Sequence, residues 1–173
     1  MLKTWAPIQK NWPNWEIVIA GPDEVGQVKK MQELTVELNL DRVIWMGPIY
    51  GREKHQLYKD SDIFVLPTHS ENFGLVVAEA LGHGIPVLTT RNAPWQGLVS
   101  NNCGWWIDLL PEALAAALEE AMSLSDAERQ AMGSRGVAWI RRDFAPVAVA
   151  QQMHEVYTWV LGGGSPPACV VTD

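Results

Sequence analysis

The sequence predicts an α/β domain: a parallel sheet with helices on both faces, followed by a helical C-terminal third. Three observations point there. Short apolar runs alternate with longer amphipathic stretches through the first part of the chain, the rhythm of βαβ units. Each run holds about four or five mostly β-branched or aromatic residues, as expected of a strand buried on both faces, and the first three end at glycine or proline. From Pro111 onward only helical periodicity remains.

The elements follow in order. Leu2 to Lys10 looks helical, although a doubly wound sheet ordinarily opens on its own central strand, so the first strand reads as missing. Glu16-Ile17-Val18-Ile19-Ala20 ends at Gly21-Pro22, and Asp23 to Asn39 sets Val25, Val28, Met31, Leu34, Val36 and Leu38 near helical spacing. Arg42-Val43-Ile44-Trp45-Met46 ends at Gly47-Pro48 and leads to a shorter helix, Arg52 to Lys59, carrying Leu57 and Tyr58. Asp62-Ile63-Phe64-Val65-Leu66 ends at Pro67; Gly74 to Leu81 is nearly all apolar and should be a helix buried against the sheet. Ile85-Pro86-Val87-Leu88-Thr89 is the fourth strand. Helices are then expected over Glu112 to Ser123, Asp126 to Arg141 and Val147 to Leu161, with Ser125 and Glu128 in capping-box spacing. No linker or repeat interrupts residues 10–160, so residues 1–161 form one domain and the Gly- and Pro-containing residues 162–173 a flexible tail.

Composition narrows the function. With 173 residues, 47% hydrophobic and 19% charged, the chain can bury a single core. Thirteen Lys and Arg against 20 Asp and Glu give a net charge of -7, which excludes a non-specific nucleic-acid binder needing a basic face. Cys103 and Cys169 are too few for a disulfide framework or a four-ligand zinc site and suit a reducing, cytoplasmic compartment. No cluster has metal-ligand spacing and no serine sits in a nucleophile-elbow sequence, so no metal or other cofactor is expected. His69 reads as a solvated loop residue, His83 as a helix-end residue, and His55 and His154 as surface residues. Of the nine tryptophans, Trp15, Trp45, Trp105 and Trp106 are expected in the core, and Trp5, Trp12 and Trp95 on surfaces that a further domain would cover.

The chemistry concentrates in Leu66-Pro67-Thr68-His69-Ser70-Glu71-Asn72-Phe73-Gly74-Leu75-Val76-Val77-Ala78-Glu79, which runs from a strand end through a loop into a helix. Ligands of open α/β sheets bind at the carboxyl ends of strands, and a helix start offers unpaired N–H groups to an anion. Gly74 would let a phosphate approach the backbone. Glu71 lies in the loop and Glu79 about one and a half turns into the helix, so both could face one cleft and accept hydrogen bonds from paired hydroxyls. The alternative for the same residues is structural: Glu71 as a helix cap and Glu79 as an ordinary half-exposed helix residue. Asn92-Ala93-Pro94-Trp95 is equally readable as sugar-pocket lining or as a turn carrying a packed tryptophan.

The Glu71/Glu79 pair within Ser70-Glu71-Asn72-Phe73-Gly74-Leu75, followed by Gly84-Ile85-Pro86-Val87, resembles the donor-binding signature of retaining GT-B glycosyltransferases, in particular glycosyltransferase family 4. Trp15 to Gly21, Val43 to Gly47, Leu57 to Asp62, Cys103 to Trp106 and Met132 to Gly136 stand in that family's order, so residues 10–160 resemble its C-terminal, Rossmann-like half. The resemblance implies a nucleoside-diphosphate sugar as donor, with Glu71 touching the donor sugar, Glu79 holding the ribose hydroxyls and the backbone of Asn72, Phe73, Gly74 and Leu75 receiving the diphosphate. Gly47, Met46 and Ile49 would border the nucleobase. It also implies hexosyl transfer with retention, in polysaccharide or glycolipid biosynthesis, the donor phosphate taking the acceptor's proton. The family's Arg- and Lys-bearing loop after the first strand and its N-terminal acceptor domain have no counterpart in the sequence. This chain alone is therefore expected to be inactive, with its acceptor reached through the absent domain. Lipid-linked acceptors, common in the family, would bring the full-length enzyme to a membrane surface. An unprotected sheet edge would favour self-association. Two other readings stand beside this one: a GT-B sugar-nucleotide 2-epimerase, for which no cleft acid/base residues are found, and a non-catalytic receiver-type module, which needs clustered aspartates at a strand end, whereas Asp41, Asp60 and Asp62 do not form such a cluster.

Overall fold

The computed structural model describes residues 1–23 and 26–171. Helix α1 (Leu2–Ile8) precedes β1 (Ile17–Ala20), α2 (Val28–Glu37), β2 (Val43–Gly47), α3 (Gly51–Lys59), β3 (Phe64–Leu66), α4 (Leu75–Gly82) and β4 (Val87–Thr90). A short α5 (Gly97–Ser100), β5 (Gly104–Ile107), α6 (Pro111–Ser123), α7 (Asp126–Asp143) and α8 (Pro146–Gly162) complete the order. Every strand pairing is parallel, as the alternating pattern predicts.

The strands form two sheets rather than one: β1 pairs with β2, and β3-β4-β5 pair in that order. This corrects the expectation that every strand is buried on both faces. Only β4, flanked on both sides, is buried at all four positions, whereas β1 and β3, each hydrogen-bonded along one side alone, stay half-exposed. Apolar contact nonetheless runs between the sheets. Leu2, Trp5 and Ile8 of α1 share a core with Leu88, Trp105 and the inner face of α6, and Ile17, Ile19, Val43 and Val65 pack against it. The Arg129 guanidinium lies 4.9 Å over the Trp15 ring before β1 and 3.7 Å from Asp62 before β3, clasping the amino ends of both sheets.

Trp5 and Trp95 are not surface residues, as predicted, but among the most buried side chains, at 2% and 1% exposure. An indole on a short helix or turn removes the most apolar area by turning inward, and sequence position does not reveal that direction. Helix α2 starts at Val28 rather than Asp23. The Asp23 carboxylate instead accepts the N–H groups of Gln27 (2.8 Å) and Val28 (3.3 Å), while Val25 lies outside the described residues. Helix α7 has the predicted capping box: Glu128 N–H donates to Ser125 Oγ at 3.3 Å, and Ser125 N–H donates to the Glu128 carboxylate at 2.7 Å. Gly133 of α7 sets its backbone against the Gly84 carbonyl so closely that a Cβ there would lie 1.8 Å from that oxygen. Helix α8 has no buried residue, and the Trp159 indole donates to the Gly164 carbonyl at 3.1 Å.

Candidate functional site

The loop from Pro67 to Phe73 is held by the strand beside it. Thr89 Oγ1 donates to the Leu66 carbonyl (2.8 Å) and Thr90 Oγ1 to the Thr68 carbonyl (2.6 Å), both threonines being fully buried. Glu71 N–H donates to the Asn92 carbonyl at 3.3 Å, and the Trp95 indole N–H donates to the Phe73 carbonyl. The Trp95 ring packs against Phe73, Trp139 and Phe144 at centroid distances of 5.1, 5.6 and 5.4 Å. The turn at Asn92–Trp95 thus packs its tryptophan and fixes the loop from behind. Sequence reasoning missed Thr89 and Thr90 in this role, because two threonines closing a strand carry no signal of what their hydroxyls reach.

The loop's rigidity sets the conformation of Gly74. Its φ is +79°, left-handed, and a Cβ there would lie 3.1 Å from Glu71 Cγ and 3.4 Å from Trp95 Nε1. Helix α4 starts at the next residue with no side chain capping it, and Leu75 is exposed, so its first turn opens to solvent at the carboxyl end of β3. Free N–H groups and the positive dipole end there favour an anion by about 0.3–2 kcal/mol. Glu71 is half-buried beside Gly74, and Asn72 and Phe73 are exposed around it.

Glu79, half-exposed on α4, stands at the centre of a polar network. Lys54 Nζ reaches both of its oxygens, Oε1 at 2.8 Å and Oε2 at 2.6 Å, and the Tyr58 hydroxyl donates to Oε2 at 3.1 Å. Burial, then the Glu79 charge and the hydrogen bond to it, push the Tyr58 phenol well above its usual range, so it stays a donor. His83, at the carboxyl end of α4 as predicted, lies with Nδ1 2.7 Å from the Glu79 backbone carbonyl and Nε2 2.8 Å from His55 Nδ1. With His83 Nδ1–H donating to that carbonyl, His55 donates to His83. His55 is exposed on α3, as expected, and meets His83 because α3 lies beside α4.

Gly47, Met46 and Ile49 lie elsewhere, at the carboxyl end of β2. Gly47 has φ +68° and accepts the Gly21 N–H at 2.9 Å, and the Met46 side chain is 47% exposed. Their link to the Glu71–Glu79 loop runs through α3, which begins two residues after Ile49 and carries Lys54 and Tyr58 to Glu79. Among the described residues, no three His, Cys, Asp or Glu side chains form a metal-binding group, and no helix is long and apolar enough to cross a membrane.

The sequence model of the family described as Glycosyl transferases group 1 matches residues 1–139. The chain belongs to that family. The D-inositol 3-phosphate glycosyltransferase of Corynebacterium urealyticum is 30% identical to this group 1 glycosyltransferase chain over 165 residues, covering 91% of it but 38% of the relative. In structure the chain is similar to Anabaena HepE, solved in complex with UDP and glucose, with a TM-score of 0.76, 21% identity, and coverage of 91% of this chain and 43% of HepE. It is also similar to the C-terminal domain of the group 1 protein LpcC from Francisella tularensis, with a TM-score of 0.70, 22% identity, and coverage of 84% of this chain and 77% of that domain. The fold is thus that of GT-B glycosyltransferase structures, and the chain spans well under half the length of the curated relative.

Proposed function

We propose that these residues are the donor-binding, C-terminal half of a retaining hexosyltransferase of glycosyltransferase family 4, acting in polysaccharide or glycolipid synthesis. The observation that carries this reading is the open first turn of α4, with left-handed Gly74 at its start, Glu71 before it and Glu79 within it, at the carboxyl end of a parallel strand. A diphosphate fits the N–H groups following Gly74, Glu71 and Glu79 suit hydroxyls on either side of it, and the exposed Met46 and neighbouring Gly47 and Ile49 offer an apolar border for a base. In transfer, the bond from the anomeric carbon to the diphosphate breaks. The acceptor oxygen bonds to that carbon on the same face, and the acceptor's proton passes to the leaving diphosphate. The helix dipole and N–H groups stabilise the charge gathering there.

The same reading accounts for the divided sheet. In the doubly wound order 3-2-1-4-5-6, β2-β1 and β3-β4-β5 occupy positions 3-2 and 4-5-6. Position 1 then lies between the bare edges of β1 and β3, and the strand belonging there comes from the larger protein, as does the acceptor domain. Until it is filled, those edges favour self-association. A cytoplasmic enzyme, with its donor as the only small molecule it requires, completes the proposal.

Titration of UDP and UDP-glucose, followed by amide shifts, tests it. Shifts centred on Gly74, Leu75 and Glu79 are expected. No response to these or any other nucleoside diphosphate sugar at millimolar concentration would refute the reading.

A further inference from the structure

The Glu79 carboxylate offers about four lone-pair positions, two on each oxygen. Oε1 accepts a hydrogen bond from Lys54 Nζ at 2.8 Å and Oε2 one from the Tyr58 hydroxyl at 3.1 Å, and the same ammonium stands 2.6 Å from Oε2 as an ion-pair contact, closing the side of the carboxylate that both oxygens share. The outer position on Oε1 stays open to one hydroxyl, whereas a vicinal diol reaching both oxygens at once needs the shared side that the ammonium closes. One of the present partners has to yield. Tyr58 is fixed: it is 8% exposed, stacked on His83 at 4.8 Å and tilted against Phe64 at 6.0 Å. Lys54 is not, since its ammonium rides on a flexible four-carbon stem and its side chain is 33% exposed.

We propose that Lys54 is a latch on Glu79, engaged when the carboxylate is empty and displaced by a ribose diol, so that it sets how strongly the site distinguishes a diol from a single hydroxyl. This rests on the proposed function, in which Glu79 receives the ribose. The latch lowers affinity for the diol by the worth of a half-exposed ion pair, while leaving a ligand with one ribose hydroxyl nearly untouched, because the remaining position on Oε1 already serves it. The same pairing keeps the carboxylate neutralised and oriented between α3 and α4 when no ligand is present.

The test compares the affinities of UDP and 2′-deoxy-UDP for the 173-residue chain by calorimetry, in the wild type and in Lys54→Met, Lys54→Arg and Tyr58→Phe. Both ligands carry the same diphosphate, so the general effect of removing a cation cancels in their ratio. Lys54→Met is expected to raise the preference for UDP over its deoxy form about two- to fivefold, the range of an exposed ion pair. Lys54→Arg, whose fork holds both oxygens, should leave the preference at or below the wild-type value. Unchanged or reduced preference in Lys54→Met, with UDP still bound, overturns the latch alone. A rise in Tyr58→Phe without one in Lys54→Met also overturns it, because the phenol would then be the partner that yields. Absence of UDP binding in both the wild type and Lys54→Met overturns the latch, and the proposed function falls with it only where no other nucleoside diphosphate sugar binds either.

Discussion

Replacing Gly74 and Gly82 by alanine puts the same methyl group at the two ends of α4, and the structure assigns the two changes opposite signs. Gly74 sits at φ +79°, where an L residue costs about 1–2 kcal/mol, and the new Cβ would meet Glu71 Cγ at 3.1 Å and Trp95 Nε1 at 3.4 Å. Glu71 can swing away and Trp95 cannot, because its ring is locked among Phe73, Trp139 and Phe144. Relief therefore moves the loop or Glu71, the parts of the site proposed to hold diphosphate and sugar. Gly82 is the last residue of the helix, at ordinary helical φ, with nothing within 4 Å of a Cβ. Alanine there removes unfolded-state freedom and gains about 0.5–1 kcal/mol. In thermal unfolding, Gly74→Ala should lower Tm by about 2–8 °C and Gly82→Ala raise it by about 1–4 °C, taking roughly 2–4 °C per kcal/mol for this size. The Gly74 variant should also bind UDP more weakly, with the Gly82 variant unchanged. Equal Tm shifts of one sign, or a Gly74 variant with wild-type Tm and affinity, would refute the argument.

Other outcomes follow from the packing and titration of particular groups. Gly133→Ala drives a Cβ to 1.8 Å from the Gly84 carbonyl, and since both partners are backbone, α7 has to lift off; a loss of about 3 kcal/mol or more in urea unfolding is expected. Ser125→Ala removes the α7 cap at a cost of about 1 kcal/mol, read by the same assay. It should also flatten the acid limb of stability. The Ser125 side chain, then its backbone N–H, holds the Glu128 carboxyl below its ordinary value, so that contribution is present above the unfolded-state value and fades as pH falls through the depressed folded one. Burial pushes the Cys103 thiol up to about 11, while Cys169 is exposed. A thiol reagent near pH 8 should therefore label one cysteine in the native protein and two in denaturant.

Much of this protein is set locally and was legible. Gly21-Pro22, Gly47-Pro48 and Pro67 stop β1, β2 and the β3 segment close to where they end, and Ser125 with Glu128 starts α7, because caps and turns act over three or four residues. The four-residue α5 escaped prediction because it is too short for a period to show, and β5, as long as β1 and β4, because Gly104-Trp105-Trp106-Ile107 lacks their run of β-branched residues; it is fixed instead by pairing with β4. The sequence also brought Glu71, Gly74 and Glu79 to one loop and helix start, since all three lie within nine consecutive positions. Tertiary structure alone decided the rest. It turned Trp5 and Trp95 inward, divided the strands into two sheets, and set Lys54, 25 residues from Glu79, against its carboxylate. The physical reason is range: hydrogen-bonded turns and helix ends answer to neighbours along the chain, whereas the direction of an indole, the edge of a strand and the partner of a carboxylate answer to whatever folding packs beside them.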